Sequence, residues 1–334
     1  MAGIPDMNWT LGSLQSQVDD ALNAWVDNRK TSRLWQKDAT LWLGADEAEW
    51  LGWLEIAPQM LDQTADLVKF AQGVRDRGIT DVLLLGMGGS SLCPEVLAMT
   101  FGQREGWPKL HVLDSTVPSQ VKRFADGVNL ETTLCVVASK SGTTTEPNAF
   151  CEFFWAEIES AVGGAAGNHF VAITDPGSAL EALAEKRKFL AVFKGVPEIG
   201  GRFSALSNFG MVPAALMGID VHAFLEHAIS MGNRCGVNTP DAQNPGLMLG
   251  LILSVLAQNG RDKVTFFTSP TLRGLGAWLE QLLAESTGKN NLGLVPVDLE
   301  LIGDPDVYGQ DRVFVYIRLK GEVQTDHERA AGAL

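Results

Sequence analysis

The sequence predicts an α/β protein: a three-layer parallel sheet with helices on both faces, a helical N-terminal leader, and a second, incomplete sheet subdomain. Three observations predict it. Short runs such as Val82-Leu83-Leu84-Leu85 and Leu134-Cys135-Val136-Val137-Ala138 are apolar throughout rather than alternating, as strands buried on both faces are. Helix-length segments separate these runs. The runs stop at glycines and hydroxyls, the chemistry of loops at strand ends.

In chain order, residues 1–75 read as helical and carry a cluster of Trp25, Leu34, Trp35, Leu41, Trp42, Trp50, Leu51 and Trp53. Such a leader packs its indoles as core or interface filler rather than as ligand-stacking rings. From residue 76 the strands begin: Val82-Leu83-Leu84-Leu85, Leu110-His111-Val112-Leu113, the Leu134 run, and Phe170-Val171-Ala172-Ile173-Thr174. Helices are expected over 94–101, 118–125, 146–162 and 178–188, which completes a first sheet domain over 76–200. Residues 201–260 read as a helical connection, with helices over 205–217, 221–231 and 246–259. A second sheet starts at Lys263-Val264-Thr265-Phe266-Phe267, continues through a helix over 272–286, and adds Val313-Phe314-Val315-Tyr316-Ile317. Residues 323–334 read as a helix. Two strands and one helix leave a parallel edge without neighbours, so the chain is expected to be cut from a longer protein.

Composition narrows the function. The chain has 334 residues, is 46% hydrophobic and 20% charged, and carries a net charge of −14. That balance supports a substantial core and argues against a nucleic-acid or anionic-membrane partner, which needs a basic surface. It leaves room for a small phosphorylated ligand, because one site can be positive on an acidic protein. Cys93, Cys135, Cys151 and Cys235 show no CxxC spacing and read as free thiols of a reducing cytoplasm. No signal peptide is seen. The longest apolar run, residues 247–257, falls short of the about 20 residues a bilayer needs. A cytoplasmic location is expected.

Ser139-Lys140-Ser141-Gly142-Thr143-Thr144-Thr145-Glu146 directly follows an apolar run and opens a helix. Hydroxyls, a flexible glycine and a helix N-terminus together make an anion cradle. Gly86-Met87-Gly88-Gly89-Ser90-Ser91 also follows a strand and opens a helix. It matches a dinucleotide fingerprint only in part, since position 91 is serine where glycine is required, although Asp114 ends the next strand where a ribose-binding acid would sit. A sugar-phosphate loop and a structural tight turn stand beside that reading. Both segments lie at the carboxyl ends of strands, where open α/β sheets bind ligands.

Gly200-Gly201-Arg202-Phe203-Ser204 offers a fixed planar cation on a loop whose glycines ease close approach, suited to a phosphate or a developing oxyanion; a surface ion pair is the plainer alternative. Gln281 and Glu285 are four apart on one helix and share a face. Most helical glutamates are solvated, yet a carboxylate near a helix C-terminus opposes the dipole, which makes a role as a base worth considering. No histidine sits in a nucleophile–His–acid pattern. His222 and His227 are five apart, a poor ligand spacing, and His111 reads as structural. No metal site is expected.

These segments together resemble the phosphoglucose isomerase family and, more widely, the sugar isomerase (SIS) domain family. The glycine–serine loop at 86–90, the phosphate loop at 139–146, the arginine segment at 200–204 and the stretch 281–289 with Glu285-Ser286-Thr287-Gly288-Lys289 occur in the family order. Leu34-Trp35-Gln36-Lys37-Asp38-Ala39, Trp50-Leu51-Gly52-Trp53-Leu54, Val295-Pro296-Val297-Asp298 and Asp306-Val307-Tyr308-Gly309 look like the isomerase half of bifunctional transaldolase/phosphoglucose isomerases.

The resemblance implies isomerisation of glucose 6-phosphate and fructose 6-phosphate through a cis-enediolate, with no cofactor and no metal. It implies phosphate binding by Ser139, Ser141, Thr143 and Thr144 with Lys140 nearby, sugar contacts from Gly88, Gly89, Ser90 and Gln281, a proton carried by Glu285, and charge stabilisation by Arg202. It further implies a hexose 6-phosphate as partner, a homodimer, and a transaldolase half in the parent protein. The family's ring-opening histidine and lysine motifs are not found in this chain, and His327 lacks a matching context, so action on the open-chain sugar is expected. A non-catalytic SIS module that senses sugar phosphates is the alternative reading.

Overall fold

The computed structural model describes residues 2–4, 6–322 and 329. The chain forms two compact units, one of residues 55–226 and one of residues 1–54 with 227–334. The leader expected over 1–75 and the connection expected over 201–260 are each divided between them.

The unit of residues 55–226 holds five parallel strands: β1 (Asp81–Gly86), β2 (Lys109–Leu113), β3 (Thr133–Ala138), β4 (Phe170–Thr174) and β5 (Ala191–Lys194). Their spatial order is β2-β1-β3-β4-β5, and every pairing is parallel. β3 and β4 are buried along their whole length, which is why their sequences are apolar without alternation. α1 (Thr64–Asp76), α2 (Leu92–Phe101), α3 (Pro118–Gly127), α4 (Thr145–Val162), α5 (Ala179–Arg187) and α6 (Asn208–Leu216) clothe the sheet. Phe150, Phe154 and Ile158 of α4 and Leu180 of α5 meet Leu83, Leu85, Cys135, Val137 and Ala172 in one core. Burying a side chain of this kind contributes roughly 1.5–3 kcal/mol. The edge strand β5, only half-buried and four residues long, was not expected from the sequence; its apolar run is too short to stand out.

The chain enters the sheet at β1, adds β2 on one side, then returns to add β3 on the other. Such a reversal opens a crevice at the carboxyl ends of the two strands that flank it, here β1 and β3. Gly86 stands opposite Ala138 in the register, so the loops after the two strands start side by side.

The unit of residues 1–54 and 227–334 contains β6 (Lys263–Thr268), β7 (Val295–Val297) and β8 (Arg312–Ile317), parallel in the order β8-β6-β7. This corrects the expectation of two strands. Val295-Pro296-Val297 does not read as a strand from sequence, because proline lacks the N–H of a central strand, but β7 is an edge strand, where proline is tolerated. α7 (Pro245–Gln258) packs Met248, Ile252, Val255 and Leu256 around the fully buried Val18 of helix Gln15–Asp27. α8 (Leu275–Thr287) covers the sheet through Leu279 and Leu283.

The leader is not helical from its start. Ala2–Ile4 pairs antiparallel with Met7–Trp9, turning through Asp6 at φ 66°. The helix expected over 323–334 lies, apart from residue 329, outside the described residues, as does His327. No helix among the described residues is long and apolar enough to cross a membrane.

Candidate active site

Three loops meet at the carboxyl edge of the five-stranded sheet. The first follows β1. Gly88 adopts φ 53°, and residues Gly88–Ser90 form one 3-10 turn before α2. Ser91 is buried, and its Oγ donates to the Gly88 carbonyl at 3.1 Å. The serine that spoils the dinucleotide fingerprint therefore closes the turn from within.

The second loop carries the arginine. Residues Gly201–Leu206 form a 3-10 helix against the glycine turn. Ser204 Oγ donates to the Gly201 carbonyl at 2.6 Å and to the Gly89 carbonyl at 3.3 Å, tying the two loops together. A Cβ on Gly89 would overlap the Gly201 carbonyl, so only glycine permits this approach. Arg202 thus stands one residue beyond the contact with the glycine turn. Cys93 lies beneath, with Sγ 3.7 Å from the Ala205 carbonyl. Burial pushes its thiol up to about 12, which keeps it a neutral packing group rather than a nucleophile.

The third loop follows β3. The Ser139 N–H donates to the Ile173 carbonyl at 3.0 Å, and its buried Oγ reaches Thr144 Oγ1 at 3.2 Å. Ser141 Oγ and Thr143 Oγ1 are 2.9 Å apart, and the Thr143 N–H donates to Ser141 Oγ at 3.2 Å. Gly142 takes φ 69° where a Cβ would stand 2.5 Å from Leu180 N, and Asn148 Nδ2 donates to its carbonyl at 3.3 Å. Ser141, Thr143 and Thr144 are exposed. Thr144 is the N-cap residue of α4 and makes no side-chain cap hydrogen bond, so its hydroxyl does not satisfy the first-turn amides that a helix start leaves without intrahelical partners. Glu146 in that turn already supplies part of the negative charge a helix start favours.

Gly88, Gly89, Ser90, Ser139, Lys140, Ser141, Thr143, Thr144 and Arg202 are thereby gathered on loops of one unit. Gln281 and Glu285 belong to the other unit, on α8, where the four-residue spacing does what the sequence predicts: Gln281 Nε2 donates to Glu285 Oε1 at 2.9 Å. Glu285 is exposed, close to the helix end. Lys289 Nζ donates to the Glu285 backbone carbonyl at 2.7 Å and to that of Ser286 at 3.2 Å. Its charge offsets the helix C-terminal dipole that would otherwise oppose the carboxylate.

Ser204, which the sequence presents only as part of the arginine segment, and Asp175, which it does not single out, also shape the site, the first through Gly89 and the second through Lys140. Asp175 directly follows β4, the position equivalent to the loops after β1 and β3, so the rule of strand ends was the signal that pointed to it. Among the described residues no group of three or more His, Cys, Asp or Glu side chains could hold a metal ion.

Comparison with known proteins gives a consistent set of similarities. A model of the phosphoglucose isomerase family matches residues 58–310. A glucose-6-phosphate isomerase of Thermosynechococcus vestitus is 36% identical over 248 residues, covering 70% of this chain and 46% of that protein. The chain spans about half the length of the first curated relatives it matches. A solved structure of a hypothetical protein from Thermus thermophilus superposes with a TM-score of 0.76 at 26% identity, covering 91% of this chain and 73% of that one. A glucose-6-phosphate isomerase structure from Chlamydia trachomatis gives 0.62 at 27% identity, covering 70% of this chain and 46% of that one.

Proposed function

The chain belongs to the phosphoglucose isomerase family, and on that premise we propose that it interconverts glucose 6-phosphate and fructose 6-phosphate. The observation that supports this most directly is the side-by-side start of a glycine turn and a hydroxyl loop after neighbouring parallel strands, with the Arg202 loop locked onto Gly89. Ser139, Ser141, Thr143, Thr144 and the N-terminus of α4 take the phosphate. Gly88, Gly89 and Ser90 let the sugar lie against the backbone, and Gln281 orients Glu285.

The reaction moves a carbonyl one carbon along the chain. Glu285 removes the proton from C2 of the open-chain aldose, and the electron pair forms the C1–C2 double bond of a cis-enediolate. Arg202 stabilises the oxyanion as it develops. Glu285 returns the proton to C1, and the hydroxyl proton passes from O2 to O1. No electrons leave the substrate, so the balance needs no redox partner. A homodimer, a cytoplasmic location and an attached transaldolase half belong to the same proposal; light scattering, fractionation and the full reading frame test them.

Glu285→Gln keeps the shape and removes the base. A coupled assay should show turnover falling by about 10²–10⁴-fold, while calorimetry shows fructose 6-phosphate still bound. Unchanged turnover with binding intact would leave the protein without Glu285 as its base, and absent activity in the wild type would favour a sugar-phosphate sensor.

A further inference from the structure

Lys140 lies inside the phosphate loop, where a cation invites assignment as a phosphate ligand. Its ammonium is committed elsewhere. Nζ donates to Asp175 Oδ2, to the Pro197 carbonyl at 3.1 Å and, more weakly, to the Val196 carbonyl at 3.5 Å. A lysine ammonium has three donors, and these acceptors engage it away from the hydroxyls of its own loop. The backbone repeats the link: the Asp175 N–H donates to the Lys140 carbonyl at 3.0 Å, and Thr174 Oγ1 donates to the same oxygen at 3.2 Å. Side chains of both residues are largely covered, at 24% and 18% exposure, which weakens competition from water.

The pair joins three loops. Lys140 sits after β3, Asp175 after β4, and Val196 and Pro197 after β5, five to six residues before Arg202. We propose that Asp175 is a positioning residue that holds Lys140 as a strut across the carboxyl edge of the sheet, so that the phosphate is bound by neutral hydroxyl and amide donors at a set distance from the Arg202 loop. This rests on the sugar-phosphate reading above. Simple electrostatics gives the opposite expectation to the strut: removing the Asp175 charge beside an anion site, and freeing a cation toward it, should tighten phosphate.

Titration of inorganic phosphate and of fructose 6-phosphate into the full chain separates the two. As a strut, Asp175→Asn should raise both dissociation constants about five- to tenfold. Lys140→Met should do the same, and the double variant should match a single one rather than the product. KM should rise in step with those constants, and amide hydrogen exchange should quicken at residues 139–144 while the interior of α4 stays protected. Asp175→Asn that tightens phosphate or leaves it unchanged, with Lys140→Met weakening it, would make Lys140 the ligand and overturn the proposal. If Asp175→Asn does not fold, nitrogen NMR of the Lys140 ammonium in the wild type decides: a strut keeps its resonance on phosphate addition, a ligand moves it. Should the wild type bind neither probe, the sugar-phosphate reading fails. The strut is then read from the exchange at 139–144 alone: faster exchange in Asp175→Asn upholds it, and unchanged exchange overturns it.

Discussion

Gly89 and Gly201 lie backbone to backbone, so closely that a Cβ on Gly89 would overlap the Gly201 carbonyl, whereas a Cβ on Gly201 would meet nothing within 4 Å. The asymmetry makes a clean experiment. Gly89→Ala must push the arginine loop away and should lower kcat by about 10²-fold, the cost of misplacing a charge-stabilising group. Phosphate binding should persist, because residues 139–144 are untouched. Gly201→Ala should leave kcat within a few-fold. Steady-state kinetics on the two variants checks the contrast.

Arg202→Ala should act on turnover rather than on ground-state affinity. If the guanidinium meets charge that exists only in the transition state, kcat and kcat/KM should fall together by about 10²–10³-fold, with the fructose 6-phosphate dissociation constant nearly unchanged. Equal effects on KM and on kcat/KM with kcat intact would place Arg202 in substrate binding alone.

Thr144→Ala should weaken phosphate by about 1.5–3 kcal/mol, the range for a hydrogen bond to a charged group. Ser139 Oγ bonds to Thr144 Oγ1 at 3.2 Å. The Ser139→Ala and Thr144→Ala effects should therefore be non-additive in a double-mutant cycle read by calorimetry.

Gly142→Ala combines two faults. Alanine disfavours φ 69°, and its Cβ would stand 2.5 Å from the backbone nitrogen of Leu180. Denaturant unfolding should show a loss of about 2 kcal/mol or more, and phosphate affinity should fall with it.

Glu95, in the first turn of α2, has its carboxyl raised above the ordinary glutamate range by burial and by the neighbouring Asp114. A value raised on folding means the native state holds the proton more tightly. Stability is then lost as pH climbs from the ordinary carboxylate range through the raised value, and the penalty stays in force at neutral pH. Glu95→Gln should therefore raise Tm at pH 7, with the advantage shrinking as pH falls through the raised value into the ordinary carboxylate range. Thermal melts across that range test the sign.

Much of the first sheet was legible because its signals are local. Buried parallel strands are apolar along their length, so β1, β3 and β4 announced themselves, and the hydroxyl block after Ala138 marked a strand end. The Gln281–Glu285 contact followed from helical spacing alone. Elements that rest on few local signals were not legible: β5 is four residues long, and β7 hides a proline that only an edge position tolerates.

The amino-acid sequence by itself determined an α/β protein with glycine- and hydroxyl-rich loops at its strand tips, since periodicity and turn chemistry act over a few residues. Only the tertiary structure decided that β1 neighbours β3 with Gly86 level with Ala138, that Gly89 abuts Gly201, and that Lys140 spans to Asp175 and Pro197. Those relations join residues from about 35 to more than 100 positions apart. They arise when helices and strands pack into one core, and no local pattern encodes which strand end will face which.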